Sequence, residues 1–485
     1  MKMEDCLIEV ALEKASELGA TYADLRYEGN EYESISVKNE KLEGVKRSKS
    51  DGFGVRVIVD GSFGFSSSND LSKEGILKVT EEACRIAKAS AKVKEHPVKL
   101  AEVKPYKDKV PHNAKIDPFS ISLNEKLDLL KEATNSLNVS PEIVIRTGNM
   151  RFLKQKKIFA SSEGAHIEQD RIESGAGISA TAIERNEVQV RSYPNSFGGD
   201  LSTFGYEFIQ GLKLGENAKR IGEEAKALLK AKKCPEGYKD IIIDGNHLAL
   251  QVHESIGHPS ELDRVIGYEA AYAGTSFLTP DKLNKLRVGS DIVNIVSDAT
   301  IIGALGGFKY DDEGVLAKRV YILRNGIFSG YLNSRETAAI FGFEPMGAMR
   351  AENWQKIPII RMTSINLEPG NYELDDLIGE IDDGILLSTT KSWSIDDKRL
   401  NFQFATEIGW EIKGGKLGEI IKNPSYTGIT PEFWSSCDGI CNKNYWHVWG
   451  VPNCGKGEPP QTMRLSHGTS PARFRNVKVG VANVR

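Results

Sequence analysis

The chain has 485 residues, 40% of them hydrophobic and 27% charged, which fits a globular protein too long for one core, so two domains, or three, are expected. Its 63 basic and 67 acidic residues give a net charge of −4, which predicts neither strong nucleic-acid binding nor electrostatic attachment to an anionic membrane. Six cysteines in so long a chain do not make a disulfide framework. The first segment, MKMEDCLIEVALEKASELGA, carries acids where a secretory signal needs a basic, then apolar, run. No stretch approaches the ~20 apolar residues of a membrane span, and a cytoplasmic location is expected.

In chain order, residues 4–18 place Leu7, Ile8, Ala11, Ala15 and Leu18 at helical spacing, with Gly19 as a stop. From Tyr22 to Ser67 the pattern changes to short alternating runs, read as a small antiparallel sheet. A second helix is expected from Leu71 to about Val93, with Ile76, Val79, Ala83 and Ala87 on one face. The lysine- and proline-rich segment 94–117 lacks periodicity and reads as a solvated connection.

Ser122 to Leu137 returns to helix, and alternation then predicts strands in EIVIRTGNMRF, KKIFASSEG, AHIEQDRIESGAGISATAI and EVQVRSY. A long helix is expected from Phe204 to about Lys232, and Cys234, Pro235 and Gly237 mark the clearest domain boundary. This divides the chain into an N-terminal domain, 1–235, with a possible further boundary within 94–117, and a C-terminal domain, 236–485. The first outlines two halves, each helix, strands, helix. The second is β-rich, with hairpin turns expected at Arg324-Asn325-Gly326 and Lys413-Gly414-Gly415. The expected class is α+β: helices packed on antiparallel sheets, then a β-rich domain carrying a helix near its start. Asp311-Asp312-Glu313 lacks the spacing of a calcium loop and reads as a solvated turn.

That helix contains the motif QVHESIGHPSELDR, with His253, Glu254 and His258 in the pattern H-E-x-x-x-H. Neutral imidazoles bind a metal, and a carboxylate that is not a ligand can take a proton from water. On a regular helix, positions five apart lie about 140° apart around the axis, so the two histidines would not share a metal. Gly257 as a C-terminal cap, and Pro259 disfavouring the α-region for His258, suggest that the helix ends before His258 and the chain turns back.

A catalytic zinc site usually has three protein ligands. Candidates for the third are Cys437, Cys441, Cys454, His447, His467 and Glu261. Cys454 lies between Pro452 and Gly455, where the backbone can approach a metal closely. Cys437 and Cys441 have the spacing C-x-x-x-C, which more often marks two partly buried thiols. Chemistry favours Cys454 by only a little.

HESIGHPSELDRVIGYEAAYAGTSF and CGKGEPPQTMRLSHG, with DGFGVRV near the N-terminus, resemble the TldD branch of the TldD/PmbA family of zinc metallopeptidases through nearly the whole chain. The resemblance implies one zinc ion per chain, held by His253, His258 and Cys454, with Glu254 as the acid/base. It implies an α/β N-terminal domain followed by a β-rich C-terminal one. It also implies a homodimer, or a heterodimer with a sibling subunit that lacks the histidine motif.

The expected reaction is hydrolysis of extended, unfolded peptides bound as an added strand, with neither nucleic acid nor membrane as a partner. For the oxyanion, His467 is the first candidate, ahead of Arg473, Tyr268 and Tyr272. The rival reading is a zinc-stabilised peptide-binding or assembly protein without hydrolytic activity.

Overall fold

Period-two alternation in the first 200 residues produces four strands of 19 residues each, Ala20–Lys38, Lys41–Val59, Ile143–Ser161 and His166–Glu184, far beyond the usual length of about 5–6. In the computed structural model, which describes residues 5–482, they form the centre of one eight-stranded sheet. Its main path runs Ser62–Ser68, Lys41–Val59, Ala20–Lys38, Ile143–Ser161, His166–Glu184, Lys107–Val110. The fold is α+β, with a mainly antiparallel N-terminal sheet covered by helices and a β-rich C-terminal part.

The two helix-strand-helix halves are visible, but they share this sheet, because residues 24–38 pair with residues 147–161. Helices Asp5–Glu17 and Lys73–Ser90 cover the first half around Leu25, Val55, Val57 and Ile76. Helices Leu123–Ser136 and Leu214–Lys230 cover the second around Leu130, Phe152, Ile178 and Ile221. Ser72 and Ser122 cap two of these helices by accepting from Gly75 N and Glu125 N.

Several expectations are corrected. The helix expected over 4–18 runs Asp5–Glu17, residue 4 lying outside the described residues. The strands expected at 142–152 and 156–164 are one, because the polar run Lys154–Lys157 stays in register: Gln155 donates to Asn30 (2.9 Å) and Lys156 to Glu168 (3.0 Å). The helix expected over 204–232 breaks into Tyr206–Gly211 and Leu214–Lys230, with Lys213 in the left-handed region (φ 50°). Within 94–117, Lys107–Val110 adds a parallel edge strand beside His166–Glu184.

In the C-terminal part, Asp383–Ile395, Gly237–Ile243, Ala472–Val481, Pro424–Ile429 and Asn401–Lys413 pair in sequence, and the last also pairs with the first. A five-stranded barrel results. Its one parallel junction, between Gly237–Ile243 and Asp383–Ile395, departs from a purely antiparallel arrangement. Both expected hairpin turns form, each with two successive residues at positive φ, Asn325-Gly326 and Gly414-Gly415.

The barrel end is filled by Phe402, Phe404, Tyr426, Phe433 and Phe474 in mutual aromatic contact. Helix Gly245–Val252 follows the first barrel strand, and its His247 packs edge-on to Phe404 and Tyr426. Thr390 Oγ1 (2.8 Å) and the Tyr426 hydroxyl (3.1 Å) satisfy the two ring nitrogens. The barrel therefore fixes the helix that leads into the H-E-x-x-x-H motif.

The acid run is not a solvated turn. Asp311, Asp312 and Glu313 are all buried, at the junction between the N-terminal sheet and the C-terminal part. Asp311 accepts from the backbone N–H groups of Glu313, Val315 and Met349, and burial, with the Glu313 carboxylate beside it, raises its carboxyl above the usual range against those bonds. Asp312 pairs with Lys157 (2.7 Å), and Arg56 bridges Glu313 (2.9 Å) and Asp24 (2.7 Å). Arg56→Met would strand two buried carboxylates, a loss that costs about 3–5 kcal/mol. Urea unfolding should show a lower midpoint, and an unchanged midpoint would contradict this role for the junction.

Candidate metal centre

The chain does not leave the helix before His258. Instead the α-helix passes at Val252 into a single π-helical turn, His253–Gly257, in which His258 N–H donates to His253 O. Such i→i+5 turns are rare and recur at functional sites. They bring residues five apart one above the other, which resolves the angular mismatch of the five-residue spacing. His258 is itself helical (φ −58°, ψ −45°), so the conformation expected from Pro259 is overridden. Gly257, also in the right-handed helical region (φ −61°), serves for closeness rather than as a left-handed cap: a Cβ there would overlap Met362 Sδ.

Cys454 arrives on the strand His447–Lys456, which pairs with Gln461–Thr469 as a separate hairpin. The ligand atoms of His253, His258 and Cys454 lie within 4.8 Å of one another, all three side chains buried. Cys454 Sγ is 3.4 Å from His258 Nε2, close to the roughly 3.6 Å that tetrahedral zinc bonds to sulfur and nitrogen would impose. The donor set therefore fits a thiophilic divalent ion.

The tautomers follow from the partners behind the rings. His467 Nδ1 lies 2.9 Å from the carbonyl of Ile365, which can only accept, so Nδ1 carries the proton and Nε2 is left as an acceptor. His253 Nδ1, 2.8 Å from that Nε2, must then donate, and the lone pair of His253 is on Nε2. His258 Nδ1 donates to Glu261 Oε2 (2.9 Å), which leaves His258 Nε2 free beside the thiol. Both imidazoles thus offer the same nitrogen, oriented by groups outside the donor set.

Burial holds His253 and His258 well below the ordinary imidazole range and pushes His467 down to about 4, so all three are neutral. Burial pushes the Cys454 thiol up to about 12, with the Arg361 guanidinium opposing. A cation among the three donors favours the thiolate.

Glu254 follows the first histidine and is not in the donor set. Its Oε2 accepts from Arg399 Nη1 at 2.7 Å, and the Trp393 indole also bonds it. Burial raises its carboxyl above the usual range, while Arg399 favours the ionised form. Arg399 sits at the tip of the barrel hairpin with φ 64°, a conformation costing roughly 1–3 kcal/mol that tends to persist at functional sites. The Asp396 carboxylate holds that tip by accepting from Leu400 N (2.8 Å) and Asn401 N (3.0 Å).

Of the other sequence candidates, Glu261 and His467 lie directly behind the two histidines. His447 pairs with Asp200 (2.6 Å), away from the cluster. Cys437 and Cys441 are buried by the barrel strand Ala472–Val481. Arg473 is held by Asp438 and Glu380 (both 2.8 Å), not at the metal site. His467, with both nitrogens engaged, has no hydrogen left for a substrate oxygen. Tyr268 and Tyr272 are exposed, Tyr272 against Gly457.

Sequence reasoning missed Arg399, Arg361 and Lys456. Arg361 Nη2 donates to Cys454 O (2.5 Å), and Lys456 Nζ joins Asp263 (2.6 Å) to Ile360 O (2.6 Å), which pins the cysteine loop. The CGK string carried the only local signal, for Lys456.

A buried two-histidine, one-cysteine set, with an adjacent carboxylate outside it, has the groups that a metal-dependent hydrolase would need. Residues 23–87, 116–233 and 236–481 match the PmbA/TldA metallopeptidase domain 1, central domain and C-terminal domain. The chain belongs to the PmbA/TldD metallopeptidase family.

It is 32% identical over 449 residues to a metalloprotease of Methanocaldococcus jannaschii, covering 92% of this chain and 94% of that one. A zinc metalloprotease TldD homolog of Saccharolobus solfataricus is 25% identical over 475 residues, covering 97% and 98%. The fold is shared with a Thermotoga maritima chain solved as a candidate modulator of a DNA gyrase. That match has a TM-score of 0.78 at 18% identity and covers 98% of this chain and 100% of that one. Among the described residues, no helix is long and apolar enough to cross a membrane.

Proposed function

We propose that this chain is a zinc-dependent peptidase that hydrolyses extended or unfolded peptides, with one Zn²⁺ per chain. The observation that carries the reading is the π-turn, which aligns two histidines with Cys454 while leaving Glu254 outside the donor set. Zinc held by His253 Nε2, His258 Nε2 and Cys454 Sγ would polarise the scissile carbonyl and lower the pKa of a water. Glu254 holds the proton taken from that water and returns it to the leaving amine. Arg399 orients Glu254 and favours its ionised form, and its buried Nε, without a hydrogen-bond partner among the described residues, is available to a developing negative oxygen.

The strand bearing Cys454 pairs only with Gln461–Thr469 among the described residues. In this reading a peptide binds as an added strand, through backbone hydrogen bonds that barely depend on sequence. An unfolded protein should therefore be cut and its folded form spared, and rapid cleavage inside a compact domain would contradict this.

Glu254 must be ionised to act as a base, so the acid limb of kcat/KM against pH should lie above the ordinary carboxylate range, in the direction that burial sets. Arg399 opposes that rise. Arg399→Met should accordingly shift the limb to higher pH and, by removing one donor, lower the plateau by about 10²-fold. A limb that stays in place would remove Arg399 from this role.

A further inference from the structure

A cavity of about 280 Å³ lies between the N-terminal sheet and the C-terminal part, lined among others by Lys157, Arg171, Phe308, Arg350, Met463 and Arg464. Four of the five lysines and arginines that line it are already neutralised, Lys309 by Asp108 (2.7 Å). Arg171 and Arg464 share Glu173 (2.6 and 2.8 Å), and Lys157 pairs with Asp312 (2.7 Å). Arg350 is different.

The residue is only 9% exposed, yet it forms no ion pair among the described residues. Among the described residues its one hydrogen bond runs from Nη1 to Met362 O (3.1 Å), and its guanidinium lies over the Phe308 ring, 5.4 Å from the centroid. The remaining N–H groups of a five-donor fork are unused. A buried, unpaired cation is costly unless an anion joins it.

The cavity adjoins the metal site through two short chains of contact. Met362, whose carbonyl Arg350 holds, donates its N–H to Glu261 Oε1 (3.2 Å), and the other oxygen of Glu261 holds His258. Met463 stands opposite Cys454 in the hairpin register. The volume is at the lower end of small-ligand pockets, which span about 300–1,000 Å³, and suits a chain end or one side chain.

We infer that this cavity is a substrate subsite in which Arg350 binds a carboxylate of the peptide, either its C-terminus or an acidic side chain. The inference rests on the peptidase reading for its ligand. The planar fork of arginine matches a carboxylate bidentately. Burial, and after it Arg171 and Arg464 close by, push the Arg350 guanidinium down to about 9 against the opposing pull of Asp312, and a bound anion would oppose that fall.

The test is titration calorimetry on the zinc-loaded full chain carrying Glu254→Gln, so that binding is read without turnover. Three forms of one unfolded peptide are compared: free C-terminal acid without acidic residues, the same peptide amidated, and the amidated peptide with one internal glutamate. One carboxylate form should bind at least about tenfold tighter than the neutral form, as a charge-assisted fork would give. Which form does so identifies the source of the carboxylate. Arg350→Met should abolish the difference and leave the neutral form's affinity unchanged.

Should that variant not fold, Arg350→Lys, which keeps the charge and loses the fork, should weaken the carboxylate form by about threefold or more. Equal binding of all three forms, no binding of any, or a preference that survives substitution would overturn the subsite. Cleavage of the amidated peptide by the unsubstituted chain tests the peptidase reading separately. Cleavage without preference overturns only the subsite, and preference without cleavage overturns only the peptidase.

Discussion

Glu254→Gln is expected to retain one zinc per chain and to lower peptide hydrolysis by about 10²–10⁴-fold, the usual contribution of a positioned general base. The substitution keeps the shape of the side chain and removes the carboxylate that Arg399 now holds at 2.7 Å. Because Glu254 is outside the donor set, metal content measured by elemental analysis should not change. The drop should fall on kcat rather than KM, since the lost interaction belongs to proton transfer. Zinc lost together with activity would instead make Glu254 part of the metal's support.

Cys454→Ala is expected to have the second large effect, through the metal. It removes the one anionic donor and leaves two neutral imidazoles, below the three protein ligands of a catalytic zinc site. Zinc content should fall well below one per chain after dialysis against a weak chelator, and activity with it. His467→Ala should be milder, because it removes the acceptor that orients His253 rather than a donor to the metal. Loss of such an orienting partner lowers metal affinity by about 10–100-fold, so a zinc titration should separate the two variants. Equal zinc affinity in all three chains would remove Cys454 from the site.

How far the sequence carried depends on which interactions are local. Alternation in EVQVRSY placed the strand Glu187–Tyr193 to the residue, and the helix read from Ser122 to Leu137 runs Leu123–Ser136 with those two residues as its caps. The single N-terminal sheet was less legible, because its halves meet through the pairing of residues 24–38 with 147–161, more than a hundred residues apart. The buried acid run was misread for a similar reason: the cations that pair with it, Arg56 and Lys157, come from the N-terminal sheet, 257 and 155 positions away.

At the site, the sequence named residues that the structure brings together, His253, His258 and Cys454, but not their geometry. The five-residue spacing correctly excluded a regular helix, but the physical solution is a π-turn, for which Gly257 and Pro259 give no distinct signal. There Gly257 packs against Met362, and Val252 and Ile256 lie in the core shared with the barrel. His467 was read as a donor to the substrate, and only its contacts with His253 and Ile365 show a residue that fixes a tautomer. Arg399 had no signal at all, since its role depends on a hairpin tip that reaches Glu254 from 145 positions away.

The most direct test of the central claim is mass spectrometry of an unfolded protein incubated with the zinc-loaded chain, with the chelated chain and with zinc-loaded Glu254→Gln. The account predicts peptide products from the first sample alone, restored in the second when zinc is added back. Products of equal yield from all three would contradict it, and so would none from a fully zinc-loaded chain.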